Sequence, residues 1–332
     1  MKTGLLAIFD LEEQYAYHLL DYISEKQGMP FRTIAFTDMQ EMKNYLNENY
    51  VDLLLISADA FNESIADYSI GKIILLSNGN IYSEYIDYSS IYKYQSTENI
   101  IREVLDYYVK VNKDAHIMPV VNENVEIIGV YSPIGRCGKT TFAIALGQCL
   151  AEEHQVLYMN FEEFSGFGKM LDTGFPGDLS DLMYFYMQNP DSIAIKLKAI
   201  VGQLQGMDYV PPLVYQKDLR EIDAAQWAGL IKHIAATSEY EKIIIDLGNM
   251  VSDIFDMLSI CNVVYVPGVS NSVQRYKLDS FLNYIEDDDN YALKDKVVEV
   301  DMSGNVLKDI DITSTVLATE VKEFVRKYIN GI

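Results

Sequence analysis

Gly135, Gly138, Lys139 and Thr140 are the residues of this chain whose types and spacing could do chemistry; they stand in Ser-Pro-Ile-Gly-Arg-Cys-Gly-Lys-Thr-Thr over 132–141. Glycines let a tight turn adopt backbone conformations that a Cβ would block, so that successive N–H groups can point into one concave nest. Such a nest takes an anion. Lys139 brings a long cationic side chain to the same place, and the Thr140 hydroxyl is a hard oxygen donor suited to Mg²⁺. The ligand this implies is a nucleoside triphosphate, ATP or its product ADP, with Mg²⁺.

The flanking elements must do the positioning. Ile127, Ile128 and Val130 make a β-branched apolar run before the turn, and Phe142, Ile144, Leu146 and Leu150 recur at helical spacing after it. A buried strand would deliver the chain to the turn, and the helix would aim the positive end of its dipole at the phosphates. The candidate nucleotide contacts are therefore Ile134, Gly135, Arg136, Cys137, Gly138, Lys139, Thr140 and Thr141, mostly through main-chain amides. An ordinary strand–turn–helix corner is the alternative. In the G-x-x-x-x-G-K-[S/T] pattern the first glycine falls at Pro133, which lacks an N–H and has a fixed φ, so the turn departs from the pattern there.

Two carboxylates are placed to join it. The strand 156–161 runs into Glu162, at the end of a parallel sheet where ligand-binding residues collect. The run Glu241-Lys242-Ile243-Ile244-Ile245-Asp246-Leu247-Gly248 puts Asp246 at a strand tip, from which it can reach Mg²⁺ beside the turn. Thr140 and Asp246 are thus the candidate metal ligands, and Lys139, Glu162 and Asp246 the candidate catalytic residues. Gly248 would let the next segment respond to the terminal phosphate. The loop after a strand at 262–266, as far as Arg275, is the candidate edge for the base.

Composition bounds the rest. The chain has 332 residues, 49% of them hydrophobic, enough for a large core and two domains. Its net charge is −23, with 9 Lys/Arg against 18 Asp/Glu over 1–118 and 17 against 31 beyond. Acid spread over both halves repels a phosphate backbone, so nucleic acid is disfavoured as a partner. Cys137, Cys149 and Cys261 are odd in number and lack metal-ligand spacing, which argues against a disulfide framework or zinc site and for a reduced, cytoplasmic setting. No apolar run approaches membrane-spanning length. Val321, Phe324, Val325 and Tyr328 stripe the last helix, but its polar side mixes both charge signs, so membrane binding is disfavoured or indirect.

Over residues 1–115, short β-type runs at 3–9, 31–36, 51–56, 72–76 and 91–94 alternate with helical runs at 12–27, 39–49 and 98–111. Alternation of this kind makes a parallel sheet covered on both faces. Residues 116–124 suit a linker, and 125–332 form a second α/β domain. It has further strands at 207–212 and 296–300, helices at 179–187 and 314–328, and a capping-box start at Asp223 and Gln226 for a helix to about 236.

The first domain resembles the receiver domains of two-component signalling. That family needs a carboxylate nucleophile at the end of its third strand, where this chain has Ser57, which cannot form an acyl phosphate. Ser77 matches the family's hydroxyl position and Lys93 its lysine, while Asp10 and Glu12 could be its acidic pair. The resemblance implies a pseudo-receiver used for docking or dimerisation, with phosphorylation at Asp59 the lesser alternative. The fold expected is α/β, two doubly wound parallel-sheet domains, receiver-like (flavodoxin-like) and then P-loop NTPase.

The domain order, the loop 133–141, Glu162 and Asp246 together resemble the ParA/MinD class of dimerising ATPases. A receiver-like domain in front of one resembles the TadZ/CpaE branch, which positions pilus-assembly and tight-adherence secretion machinery at the cell pole. The resemblance implies an ATP-dependent homodimer with Mg²⁺, and Glu162 as the residue that positions water or Mg²⁺. The class's second loop lysine, which reaches the partner subunit's nucleotide, matches Ile134 here. A hydrocarbon cannot neutralise phosphate charge, so hydrolysis should be slow or absent unless Arg136 substitutes. The alternatives are a non-hydrolysing scaffold with retained nucleotide, a DNA-partition ATPase and, more distantly, a metabolic P-loop enzyme.

Overall fold

Strands covered on both faces read as continuous apolar runs, and here they are buried that way: Leu53, Leu54, Leu55 and Ile56 are each at most 1% exposed. The computed structural model describes residues 4–25, 29–79, 85, 87–111, 125–166, 177–190, 193–213, 221–249, 251–268, 272–287, 291–303 and 319–329. The expected linker at 116–124, most of the loop between Glu162 and the helix at 179, and the expected helix start at 314–318 lie outside them.

The chain divides into two compact units, 1–117 and 118–332. In the first, strands β1 (Gly4–Phe9), β2 (Phe31–Phe36), β3 (Val51–Ser57), β4 (Ile70–Ser77) and β5 (Ser89–Tyr92) form a parallel sheet in the order β2-β1-β3-β4-β5. That is the flavodoxin-like order, with the switch point between β1 and β3. Helices α1 (Glu13–Glu25) and α2 (Met39–Glu48) make the first two crossovers, and α3 (Thr97–Val111) follows the last strand. Because strand side chains alternate, Ala7 and Phe9 join Met42 and Leu46 of α2 in one core. Asp38 caps α2, accepting from the Glu41 N–H at 2.8 Å.

The second unit places β6 (Glu126–Val130) in the interior of a seven-stranded sheet. With β7 (Val156–Phe161), β8 (Gly202–Leu204), β9 (Met207–Val210), β10 (Lys242–Leu247), β11 (Val263–Gly268) and β12 (Val297–Asp301), the order is β12-β11-β6-β10-β7-β9-β8. Helix α4 (Lys139–Leu150) covers one face together with the C-terminal helix Thr319–Ile329, whose Val321 and Val325 pack in the same core as Phe142 and Leu146. The stripe read on that last helix is core-facing. Helices at Leu179–Gln188, Ile193–Ile200, Ala224–Thr237, Ile254–Ser259 and Ser272–Asp287 belong to the other side, and Trp227 there is fully buried. Asp223 and Gln226 form the expected capping box.

One strand corrects the all-parallel expectation: β8 pairs antiparallel with β9, so the second sheet is mixed. The hairpin turns on Gln205 and Gly206, both at positive φ (52° and 84°), as a two-residue type I′ turn requires. Glutamine rarely takes that conformation, which is why the turn was not read. Among the described residues, no helix is long and apolar enough to cross a membrane.

Candidate functional site

β6 delivers the chain to the turn, and α4 begins at Lys139. The sheet register then assembles the site. β10 lies between β6 and β7, pairing Asp246 with Val130 on one side and with Asn160 on the other. Alternation puts Ile243, Ile245 and Leu247 into the core on the far side from α4, which leaves Asp246 on the α4 side with Ile244. The same rule on β7 brings Tyr158 and Asn160 to that side. Asp246 is wholly buried there, a position no carboxylate holds without partners.

Its partners are in place. Lys139 Nζ donates to Asp246 Oδ1 at 2.9 Å and to Glu162 Oε1 in a short contact. Tyr158 Oη donates to Asp246 Oδ2 at 2.9 Å. Asn160 Nδ2 donates to the Tyr158 oxygen at 2.8 Å and to Asp246 Oδ2 at 3.3 Å, while its Oδ1 accepts from the Glu162 N–H at 2.9 Å. Burial would lower the Lys139 ammonium, but the Asp246 and Glu162 carboxylates more than offset it and hold the group above the ordinary lysine value. Burial, helped by Asp246, pushes the Tyr158 phenol up, so it stays a neutral donor.

The three residues read as catalytic from sequence, Lys139, Glu162 and Asp246, therefore meet in one ion-paired cluster. The turn is less uniform. Ile134 and Cys137 are buried in the hydrophobic core, leaving them main-chain contacts alone, while Gly135 and Arg136 are exposed. The Ile134 N–H donates to Ser132 Oγ at 3.2 Å, and that hydroxyl donates to the Pro267 carbonyl at 2.7 Å, tying the turn to the end of β11. Arg136 has φ 60°, a left-handed conformation that costs a non-glycine residue about 1–2 kcal/mol. Gly138 has φ 86° and is the N-cap of α4.

The residues fit a triphosphate and its cation. Among the described residues no side chain caps the start of α4, an arrangement that favours an anion at its first N–H groups. Among the described residues nothing lies within 4 Å of where a Gly135 Cβ would be, and a cavity of about 310 Å³ is lined by the turn, Thr140, Thr141, Glu162 and Gly248. Thr140 and Asp246 offer oxygen donors of the kind Mg²⁺ takes. The expected base-binding edge fares differently: residues from Ser272 onward are helical, and Arg275 pairs with Asp279 and Glu299, each at 2.8 Å. Residues 269–271 lie outside the described chain.

Gly248 follows β10 because the end of β7 passes too close for a side chain. A Cβ there would sit 2.8 Å from the Phe161 carbonyl oxygen and 3.0 Å from Glu162 Cα, both backbone. Gly248→Ala is expected to push the two strand ends apart and cost about 1–3 kcal/mol, read as a lowered Tm. An unchanged Tm would mean that the strand ends tolerate separation.

Tyr158 and Asn160 were not anticipated. Their signal was present: polar residues at 158, 160 and 162, two apart in an otherwise apolar strand, share one face.

An interior parallel strand, a turn, a helix and an adjacent strand with a buried aspartate near its end make an α/β fold of the P-loop NTPase type. Solved structures give the following likenesses. The ParA family ATPase of Chlorobium tepidum TLS is 13% identical with TM-score 0.49, over 62% of this chain and 99% of that one. A putative plasmid partition protein of Borrelia burgdorferi B31, bound to AMPPNP, is 15% identical with TM-score 0.48, over 63% and 100%. The MinC:MinD cell division complex of Aquifex aeolicus gives 16% and TM-score 0.41, over 53% and 70%. At TM-scores below 0.5 the fold assignment stands on the strand order and register of the chain itself. No family model matches the sequence, and no curated protein matches it.

Proposed function

We propose that this protein is an atypical, ATP-binding member of the ParA/MinD class, in which ATP and Mg²⁺ favour a homodimer. The observation that supports it most is the meeting of Lys139, Glu162 and Asp246 beside an uncapped helix start. Main-chain groups of the turn would hold the phosphates, Lys139 would supply charge to them, and Thr140 with Asp246 would hold Mg²⁺. When bound, the nucleotide brings a γ-phosphate whose charge competes with the carboxylates for Lys139.

Hydrolysis is slow or absent in this reading, because Ile134 is a core side chain and brings no cation to the transferring phosphate. The dimer would recruit pilus-assembly or secretion components in the cytoplasm, at the cell pole, as in the TadZ/CpaE branch. With a net charge of −23, DNA is a poor partner. Sizing with and without ATP–Mg²⁺ tests the switch, and equal mass in both sinks it. The internal pairing of Lys139 favours one second reading, a constitutive scaffold; nucleotide retained with no phosphate release over hours, in a dimer indifferent to added ATP, would select it.

The first unit is read as a pseudo-receiver. Ser57, 3% exposed, ends β3 where a phosphoacceptor would stand, and Asp59 is hydrogen-bonded to Asn78 at 2.8 Å. Treatment with a small phosphodonor is expected to leave no acid-labile phosphate on this unit. Such a phosphate on Asp59 would overturn the assignment.

A further inference from the structure

We infer that Tyr158 and Asn160 are positioning residues that hold Asp246 as a ligand for the divalent cation. The inference rests on the proposed nucleotide site and deepens it. Both residues are at most 1% exposed, in a strand whose other members are apolar. A buried phenol and a buried amide cost free energy unless their hydrogen bonds are made, and aliphatic residues would serve the sheet as well. What the polar pair does instead is converge on one atom: both donate to Asp246 Oδ2.

The other carboxylate oxygen, Oδ1, is thereby turned to Lys139, whose ammonium occupies the cation's role there. Asn160 acts in two directions. Its amide group reaches Asp246, and its carbonyl oxygen receives the Glu162 N–H, so one side chain sets the tip of β7 against the tip of β10. Rotation of Asp246 about its terminal bond would break the bonds to Tyr158 and Asn160. The pair thus presents a single oxygen, in one orientation, to whatever cation stands beside the turn. Groups that orient a metal ligand from behind carry much of a site's affinity, and removing one typically costs about 10–100-fold in metal binding.

The test is the affinity of the full-length protein for a fluorescent ATP analogue, first in EDTA and then in a Mg²⁺ titration. Wild type is compared with Tyr158→Phe and Asn160→Ser, with circular dichroism to show that each variant is folded. The expected result is nucleotide affinity in EDTA unchanged within about twofold, and a Mg²⁺ midpoint raised about 10-fold in each folded variant. A merely structural role would weaken binding equally in EDTA and in Mg²⁺, which overturns the inference. So does an unchanged Mg²⁺ midpoint, or loss of folding in both variants, which would assign the pair to the sheet. If one variant fails to fold, the other decides. Wild type that binds no nucleotide under either condition overturns the proposed function, and this inference with it; wild-type binding with unshifted variants overturns this inference alone.

Discussion

Lys139→Ala is expected to abolish ATP-dependent dimerisation and also to lower the Tm of the protein without nucleotide. The first effect follows from removing the one lysine of the turn that can answer phosphate charge. The second follows from what the ammonium holds: Asp246 is 0% exposed, and among the described residues it keeps the neutral donors Tyr158 and Asn160 when Lys139 is gone. Removing one partner of a buried ion pair costs about 3–5 kcal/mol, because the remaining charge is left uncompensated. Glu162 is 29% exposed and can rehydrate, so the lower end applies. For a unit of this size, about 3 kcal/mol lowers Tm by roughly 6–12 °C.

The double variant Lys139→Ala with Asp246→Asn separates the two effects. It should recover most of the lost stability while still failing to dimerise with ATP. Sizing and thermal unfolding on the same samples read both quantities. Retained ATP-dependent dimerisation in Lys139→Ala would remove the turn from the site altogether.

Lys93→Met is expected to destabilise the first unit by a similar amount. Lys93 is 4% exposed and Asp10 1%, and their 3.2 Å pair is joined by Glu12 at 2.7 Å. Methionine keeps the volume but leaves buried Asp10 with the Glu12 N–H and without its counter-charge, about 3–5 kcal/mol with the lower end applying. Glu12 is half-exposed and adds little. Asp10→Asn in the same chain should restore most of the loss, measured by denaturant unfolding.

The pair also sets a pH dependence. Burial lowers the Lys93 ammonium, but the hydrogen bonds it donates to Glu12 and Asp10, together with their charge, raise it well above the ordinary lysine value. A lysine raised in the folded state stabilises fully below its unfolded value of about 10.4 and loses that contribution only as pH climbs through the folded one. Lys93 should therefore give a flat stability profile through neutral pH and a decline only in strong alkali. A Lys93→Met variant within about 1 kcal/mol of wild type would mean that the Lys93–Asp10 pair contributes no net stability.

Much of the fold was legible because its strands are buried on both faces. Runs such as Ile243-Ile244-Ile245 admit few other readings once a polar residue follows at the sheet edge. What was missed has physical causes. Ile193–Ile200 is a helix apolar nearly all round, so it lacks the periodic polar face that marks helices. Residues 272–275, expected as the end of a loop, are the first turn of a helix; Ser, Val, Gln and Arg there show no apolar periodicity by themselves. At the site, Lys139, Glu162 and Asp246 were legible as strand-tip and turn residues. Tyr158 and Asn160 were not, since a tyrosine or asparagine inside a strand looks like ordinary variation until the register sets it beside an aspartate.

The mixed sheet has a consequence for how copies of this chain can meet. β8, its last strand on one side, is only three residues long, too short a template for an incoming strand. On the opposite margin β12 carries the exposed Glu299 and Asp301, with Glu299 held by Arg275, so that border is charged rather than apolar. The short strand on one border and the charged one on the other both discourage lateral growth of this sheet into a continuous ribbon.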